Sequence, residues 1–280
     1  MFASKKKIRA IFVLATMLST LIYSGCAHQQ TSSKFSLSPQ TTLSPLQFLP
    51  FPTTQSNVLE ASSHNKRGES LYRNGDIDGA IAAWKQAIDA DPNFAEAHYN
   101  LGRAYYDRGE YNKALVHLKE AVRIVPVSAA AHYNLGLTYA ALGYLEEARS
   151  AFESAIWLEP EYADAYFNLG VVDYWLGNYD EAIFAFENVL VLRPNDIYAM
   201  YNLGLSFYAR GDIDRATEKW EQTVQISPAY AEAFYGLGLA YLQKGELEKA
   251  RAAFQSCINA QPDSPIANDA RRALERIGHP

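Results

Sequence analysis

Cysteine is nearly missing from this chain of 280 residues: Cys26 and Cys257 are the only two, and they do not form a pair with metal-ligand spacing. Basic clusters are missing as well once Lys5, Lys6, Lys7 and Arg9 have passed, and 25 basic against 31 acidic residues leave a net charge of −6. Such a chain repels phosphate backbones, so nucleic acid is not an expected partner. No apolar run is long enough to span a bilayer comfortably: Ala10 to Tyr23 is a stretch of about 14 mostly apolar residues. No glycine-rich loop follows a strand pattern, and no Ser/His/Asp set has a cleft to sit in.

What the N-terminus does contain is the order of an export signal: a basic run, a short apolar stretch, then the small residues Ser24, Gly25, Cys26 and Ala27. Ile22-Tyr23-Ser24-Gly25-Cys26 resembles the lipobox of bacterial lipoproteins, although Tyr23 stands where that family has a smaller aliphatic residue. The resemblance implies a lipoprotein-type signal peptide over residues 1–26 and acyl chains, palmitate among them, on Cys26. With Ala27 next and no Asp, similarity to enterobacterial lipoproteins implies the periplasmic side of the outer membrane. The other reading is ordinary signal-peptidase cleavage after Ala27, which discards Cys26. Without the signal the tally is 21 basic against 31 acidic residues, a charge of about −10. Residues 27–60 turn to Ser, Thr, Gln and Pro with only Lys34 and Glu60 charged, a flexible tether of roughly 30 Å end to end. Within it, Leu46 to Phe51 is apolar enough to dock on a surface, or is merely a sticky stretch of linker.

From Ala61 to Ser264 the sequence repeats every 34 residues, six times without an insertion, over 61–94, 95–128, 129–162, 163–196, 197–230 and 231–264. Slot 8 is glycine in all six copies (Gly68 to Gly238), slot 15 is glycine (Gly75 to Gly245), slot 20 is alanine (Ala80 to Ala250) and slot 32 is proline (Pro92 to Pro262). Slots 1–14 carry Ala, Leu and Tyr without proline and predict helix A, which the slot-15 glycine ends in a left-handed conformation. Slots 17–30 predict helix B, which the proline stops. Small residues at slots 8 and 20 let the two helices approach, and the large residue at slot 24 (Trp84, Leu118, Phe152, Phe186, Trp220, Phe254) is expected to fill the space between neighbouring hairpins. Cys257 falls where other copies place small or apolar residues and reads as a buried hydrophobe.

In slots 4, 7, 8, 11, 20, 24, 27 and 32 the pattern resembles the tetratricopeptide repeat, over 204 of the 280 residues. That family implies an all-α fold: a right-handed superhelical solenoid of six helix-turn-helix hairpins, helix A lining the concave face, with residues 265–280 as a C-terminal capping helix. Arg67 at slot 7, where the other copies have leucine, suits an end repeat facing water, as do Arg271, Arg272, Glu275 and Arg276 on the cap. With signal, tether, repeats and cap assigned, nothing remains to house a catalytic domain, so no enzyme activity, cofactor or small-molecule substrate is expected.

Function in such an array lies on the helix A face of slots 2, 5, 6, 9, 12 and 13. Asn100, Asn134, Asn168 and Asn202 at slot 6 form a ladder whose amides offer a donor and an acceptor to the backbone of an extended peptide. Around it stand Tyr99, Tyr133, Phe167, Tyr201 and Tyr235 at slot 5, with Tyr174, Trp175 and Tyr208 at slots 12 and 13. Groove charge concentrates in the first two copies, and the central copies supply no lysine or arginine for a carboxylate clamp, which points to a peptide or protein segment with apolar or aromatic side chains. Asp173 replaces the apolar or aromatic residue of slot 11 and neighbours Trp175; the two mark a binding hot spot, or else a solvated carboxylate and an incidental tryptophan. His98 and His132, both at slot 4, face each other as a metal pair or, as the bulky slot-4 residues elsewhere favour, simply pack. The sequence thus reads as a non-catalytic protein-interaction scaffold of a bacterial cell envelope, anchored to the membrane by its lipidated N-terminus. The alternatives are a structural protein self-associating through its repeats and a non-catalytic subunit of an envelope enzyme complex.

Overall fold

A computed structural model describes residues 55–278. The expected signal peptide, Cys26 and most of the tether lie outside the described residues. Two compact units divide the described residues, with the boundary between Ala97 and His98.

In the first unit α1 (Gln55–Arg73) and α2 (Ile77–Ala90) form a hairpin. Helix α1 starts six residues inside the stretch read as tether, because Gln55 to Glu60 contains no Gly or Pro to stop it. The hairpin turns at Gly75, and the Asp76 carboxylate caps α2 by accepting a 2.9 Å bond from the Gly79 N–H. Trp84 closes the hairpin beneath Gly68, with its ring 5.8 Å from that of Tyr72.

The second unit is a solenoid of hairpins: α3 (Ala95–Asp107, entering from the first unit) with α4 (Tyr111–Ile124), α5 (Ala129–Ala141) with α6 (Leu145–Leu158), α7 (Ala163–Leu176) with α8 (Tyr179–Leu192), α9 (Ile197–Arg210) with α10 (Ile213–Ile226), and α11 (Ala231–Gln243) with α12 (Leu247–Ala260). Each B helix packs on the A helix that follows it: α4 on α5, α6 on α7, α8 on α9, α10 on α11. Last comes α13 (Pro265–Ile277), which buries Ile266, Ala267 and Ala270 and exposes Arg271, Arg272, Glu275 and Arg276. Among the described residues there are thirteen helices and no strand.

The fixed slots act sterically. A Cβ added at Gly136 would stand 2.7 Å from the Phe152 ring and one at Gly170 2.9 Å from Phe186, so only glycine lets helix A settle on the large slot-24 side chain. This corrects the expectation that slot 24 fills the gap between hairpins: it sits first under the glycine of its own hairpin. Trp220 does both, because Gly236 of the next hairpin also lies against its ring. The slot-15 glycines hold φ between 74° and 95°, the left-handed ends anticipated.

The junctions between hairpins are of two kinds. Slot 34 precedes helix A, and there the side chains of Ser128, Asp196 and Ser264 accept backbone N–H bonds from α5, α9 and α13. Tyr162 and Tyr230 occupy the same slot without capping; their rings pack instead on Tyr133 (4.9 Å) and Tyr201 (5.2 Å) of the preceding hairpin.

Candidate functional site

The slot-6 asparagines are tied into the array. Asn134 Nδ2 donates to the Ala130 carbonyl (2.9 Å) and to the Tyr99 hydroxyl of the preceding hairpin (3.2 Å). Asn168 repeats the arrangement, with Nδ2 donating to the Asp164 carbonyl (2.8 Å) and to the Tyr133 hydroxyl (3.2 Å). Since an amide nitrogen carries two hydrogens, both donors are consumed and Oδ1 is left to accept. The ladder therefore offers a ligand acceptors, not the donor-and-acceptor pairs expected of it. At Asn202 the rung breaks: Nδ2 still donates to the Tyr198 carbonyl at 2.7 Å, but the preceding slot-5 residue is Phe167, which has no hydroxyl.

Slot 5 turns inward as much as outward, because four of its five aromatics lie against slot 24 of their own hairpins: Tyr133 on Phe152 (5.8 Å), Phe167 on Phe186 (5.7 Å), Tyr201 on Trp220 (6.5 Å) and Tyr235 on Phe254 (5.6 Å). Phe167, Tyr201 and Asn202 are buried and belong to the core, which removes them from the surface open to a ligand. Burial holds the Tyr201 hydroxyl well above its ordinary pKa, as expected of a group that water does not reach. Tyr99, Asn100, Tyr133, Asn134, Asn168, Tyr174, Trp175, Tyr208 and Tyr235 remain half-buried. Tyr174 meets Trp175 edge to face at 6.2 Å and also packs on Tyr179 (5.6 Å); burial pushes its hydroxyl up to about 12. Tyr208 packs tilted on Trp220 at 5.7 Å.

A charge from outside the face enters it. Arg193, in the turn after α8, donates from Nη1 to Asp164 Oδ1 at 2.6 Å, so a guanidinium stands beside the ladder although α5 and α7 themselves supply no lysine or arginine. That pairing is hard to read from sequence because its partners are 29 residues apart in different elements.

Asp173 is separated from Trp175 by the helix itself. It is 1% exposed and lies 3.0 Å from Arg149 Nε of α6, a charge contact off the line of a straight hydrogen bond, while Asn178 Nδ2 donates to it at 3.4 Å. Burial pushes its carboxyl up to about 6, with Arg149 and Asn178 opposing. The carboxylate is neither solvated nor part of a hot spot with Trp175; it sits in the packing between two hairpins. His98 and His132 also have separate surroundings. His98 is buried with its Nδ1 3.2 Å from His117 Nδ1, and His132 Nε2 lies 2.9 Å from the Pro126 carbonyl. Among the described residues no three His, Cys, Asp or Glu side chains gather as a metal site, and no helix is long and apolar enough to cross a membrane. Cys257 is a buried free thiol pushed up to about 12 by burial.

Comparison with known proteins agrees with this geometry. Family models described as "TPR repeat" match residues 68–107 and 102–143, and models described as "Tetratricopeptide repeat" match 129–162, 163–196 and 201–265. No curated protein matches the chain. Among solved structures, YrrB, described as a TPR protein with an unusual peptide-binding site, is 27% identical over 68% of this chain and 98% of its own, with a TM-score of 0.60. MamA is 34% identical over 62% of this chain and 94% of its own, with a TM-score of 0.58. The pilF protein of Pseudomonas aeruginosa, at 18% identity, shares the fold over 79% of this chain and all of its own, with a TM-score of 0.63. With repeat models over most of the chain and 34-residue hairpins throughout the second unit, the chain belongs to the tetratricopeptide repeat family, whose members are in general non-catalytic interaction proteins.

Proposed function

We propose that this chain is a non-catalytic scaffold of the bacterial cell envelope that holds an extended segment of another protein against the A helices of its central hairpins. The observation that carries the reading is the pair of rungs at Asn134 and Asn168, whose Oδ1 atoms are left to accept main-chain N–H groups beside the half-buried rings of Tyr133, Tyr174 and Trp175. The peptide-binding site attributed to YrrB supports it by analogy. Trp175 is the anchor and Asn168 the main-chain acceptor. A photo-crosslinking amino acid at position 175, introduced in cells, should join the chain to one recurrent partner, whereas the same probe at Gln225 on α10 should not. Against that partner, Trp175→Ala should weaken binding by on the order of 2 kcal/mol. Crosslinks no more selective at 175 than at 225 would refute the site.

The envelope part of the reading rests on the resemblance of residues 22–26 to a lipobox, in which Cys26 becomes the acylated first residue of the mature chain. Mass spectrometry of the mature N-terminus is expected to find a lipid-modified Cys26; an unmodified start at His28 excludes the anchor.

A further inference from the structure

On the solvent face of α6 and α8, slots 18, 22, 25 and 29 form one stripe at helical spacing. It holds Trp157, 81% exposed, at slot 29 of α6, then Phe184, 63% exposed, and Val191, 78% exposed, at slots 22 and 29 of α8. The core is served by other positions: α8 buries Ala182, Ile183, Ala185, Phe186 and Val189. Phe184 and Val191 are two turns apart on one face, about 10 Å along the axis, and Trp157 holds the place of Val191 one hairpin earlier. Elsewhere in the second unit slot 29 is Arg123, Gln225 or Asn259, so an apolar residue there is particular to these two hairpins. Between the apolar residues, slots 18 and 25 are acidic throughout: Glu146, Glu153, Asp180 and Glu187, all exposed. Helix α8 carries no basic residue, and the one on α6, Arg149, is occupied by Asp173 and Glu153.

We propose that this stripe is a second docking surface, separate from the helix A face, for a partner segment whose apolar side chains alternate with lysine or arginine. The sign of the charge selects the occupant, since the acids would repel a second copy of this net-negative chain and an anionic bilayer alike. The size of the patch agrees. Three side chains this exposed present roughly 400 Å² of apolar surface, about half of what one partner contributes to a standard protein interface, which suits a single helix or strand. An exposed tryptophan among acids is the anchor that such a segment would cover.

The probe is a synthetic amphipathic helix of leucine and lysine, titrated against the full chain by fluorescence anisotropy, with a leucine and glutamate helix of the same pattern as its counterpart. The lysine helix should bind, the glutamate helix should be at least about tenfold weaker, and Trp157→Ser with Phe184→Ser should weaken the lysine helix about tenfold. Both substituted side chains are exposed, so circular dichroism should be unchanged. Trp175→Ala should leave this binding intact, which separates failure here from failure of the helix A site. Equal binding by the two helices, or by wild type and the double variant, overturns the proposal. So does Trp157-dependent binding to phosphatidylcholine vesicles, or Trp157-dependent self-association in sedimentation, without binding of the lysine helix.

Discussion

Asp173 makes one contact between hairpins answer to pH. Its carboxyl sits near 6 in the folded chain against an ordinary value of 3.8, because burial disfavours the charged form more than Arg149 and Asn178 favour it. The folded state therefore binds the proton more tightly than the unfolded chain, and between about pH 4 and 6 this residue's contribution to stability falls as pH rises. Asp173→Asn removes the ionisation while keeping the shape. It should raise stability at pH 7 by about 1 to 3 kcal/mol, and the gain should shrink towards zero below about pH 4. Thermal melts of both proteins from pH 4 to 7 check this; a difference that does not change with pH would assign the effect to packing alone. Nothing in the residue type announced any of it. A carboxylate at a slot given elsewhere to Leu, Phe or Tyr reads equally as solvated or as part of a binding hot spot, and its partner Arg149 lies in a different helix.

At the level of the helix the sequence was far more legible, because the recurring slots carry steric demands with one solution each. Glycine at slot 8 and alanine at slot 20 recur because a larger side chain would hold the helices apart, and the turns fall where the slot-15 glycines stand. Gly170→Ala places a methyl group against Phe186 and should cost about 1 to 3 kcal/mol by overpacking, read as a lowered Tm. What periodicity left open was which side of a helix each half-apolar slot faces. Slot 5 was read as groove, yet in this packing Phe167 and Tyr201 are drawn under by their contacts with slot 24. Asn134 and Asn168 do not offer the donor-and-acceptor pairs expected of them, because the carbonyl four residues back and the tyrosine of the previous hairpin take their hydrogens. Arg193 was overlooked because it reaches Asp164 from a turn and not from an A helix.

Over the whole molecule, helices of the second unit pack on near neighbours in the chain, so a local lesion should stay local at first. Hydrogen exchange of Gly170→Ala is expected to rise in α7, α8 and the helices beside them, α6 and α9, while α12 and α13 keep wild-type protection. A uniform rise across the second unit would mean that it unfolds as one cooperative body. The two kinds of junction carry a consequence of another sort, for how such an array is able to grow or shrink. Ser128 and Asp196 cap alternate A helices and Ser264 caps α13, while Tyr162 and Tyr230 pack on ring neighbours at the junctions between. Excising 163–196 would join Tyr162 to Ile197 and leave α9 without a side-chain cap. Excising 129–196 would join Ser128 to the same residue and supply one. The copying unit that keeps every junction intact is thus 68 residues long, two hairpins and not one.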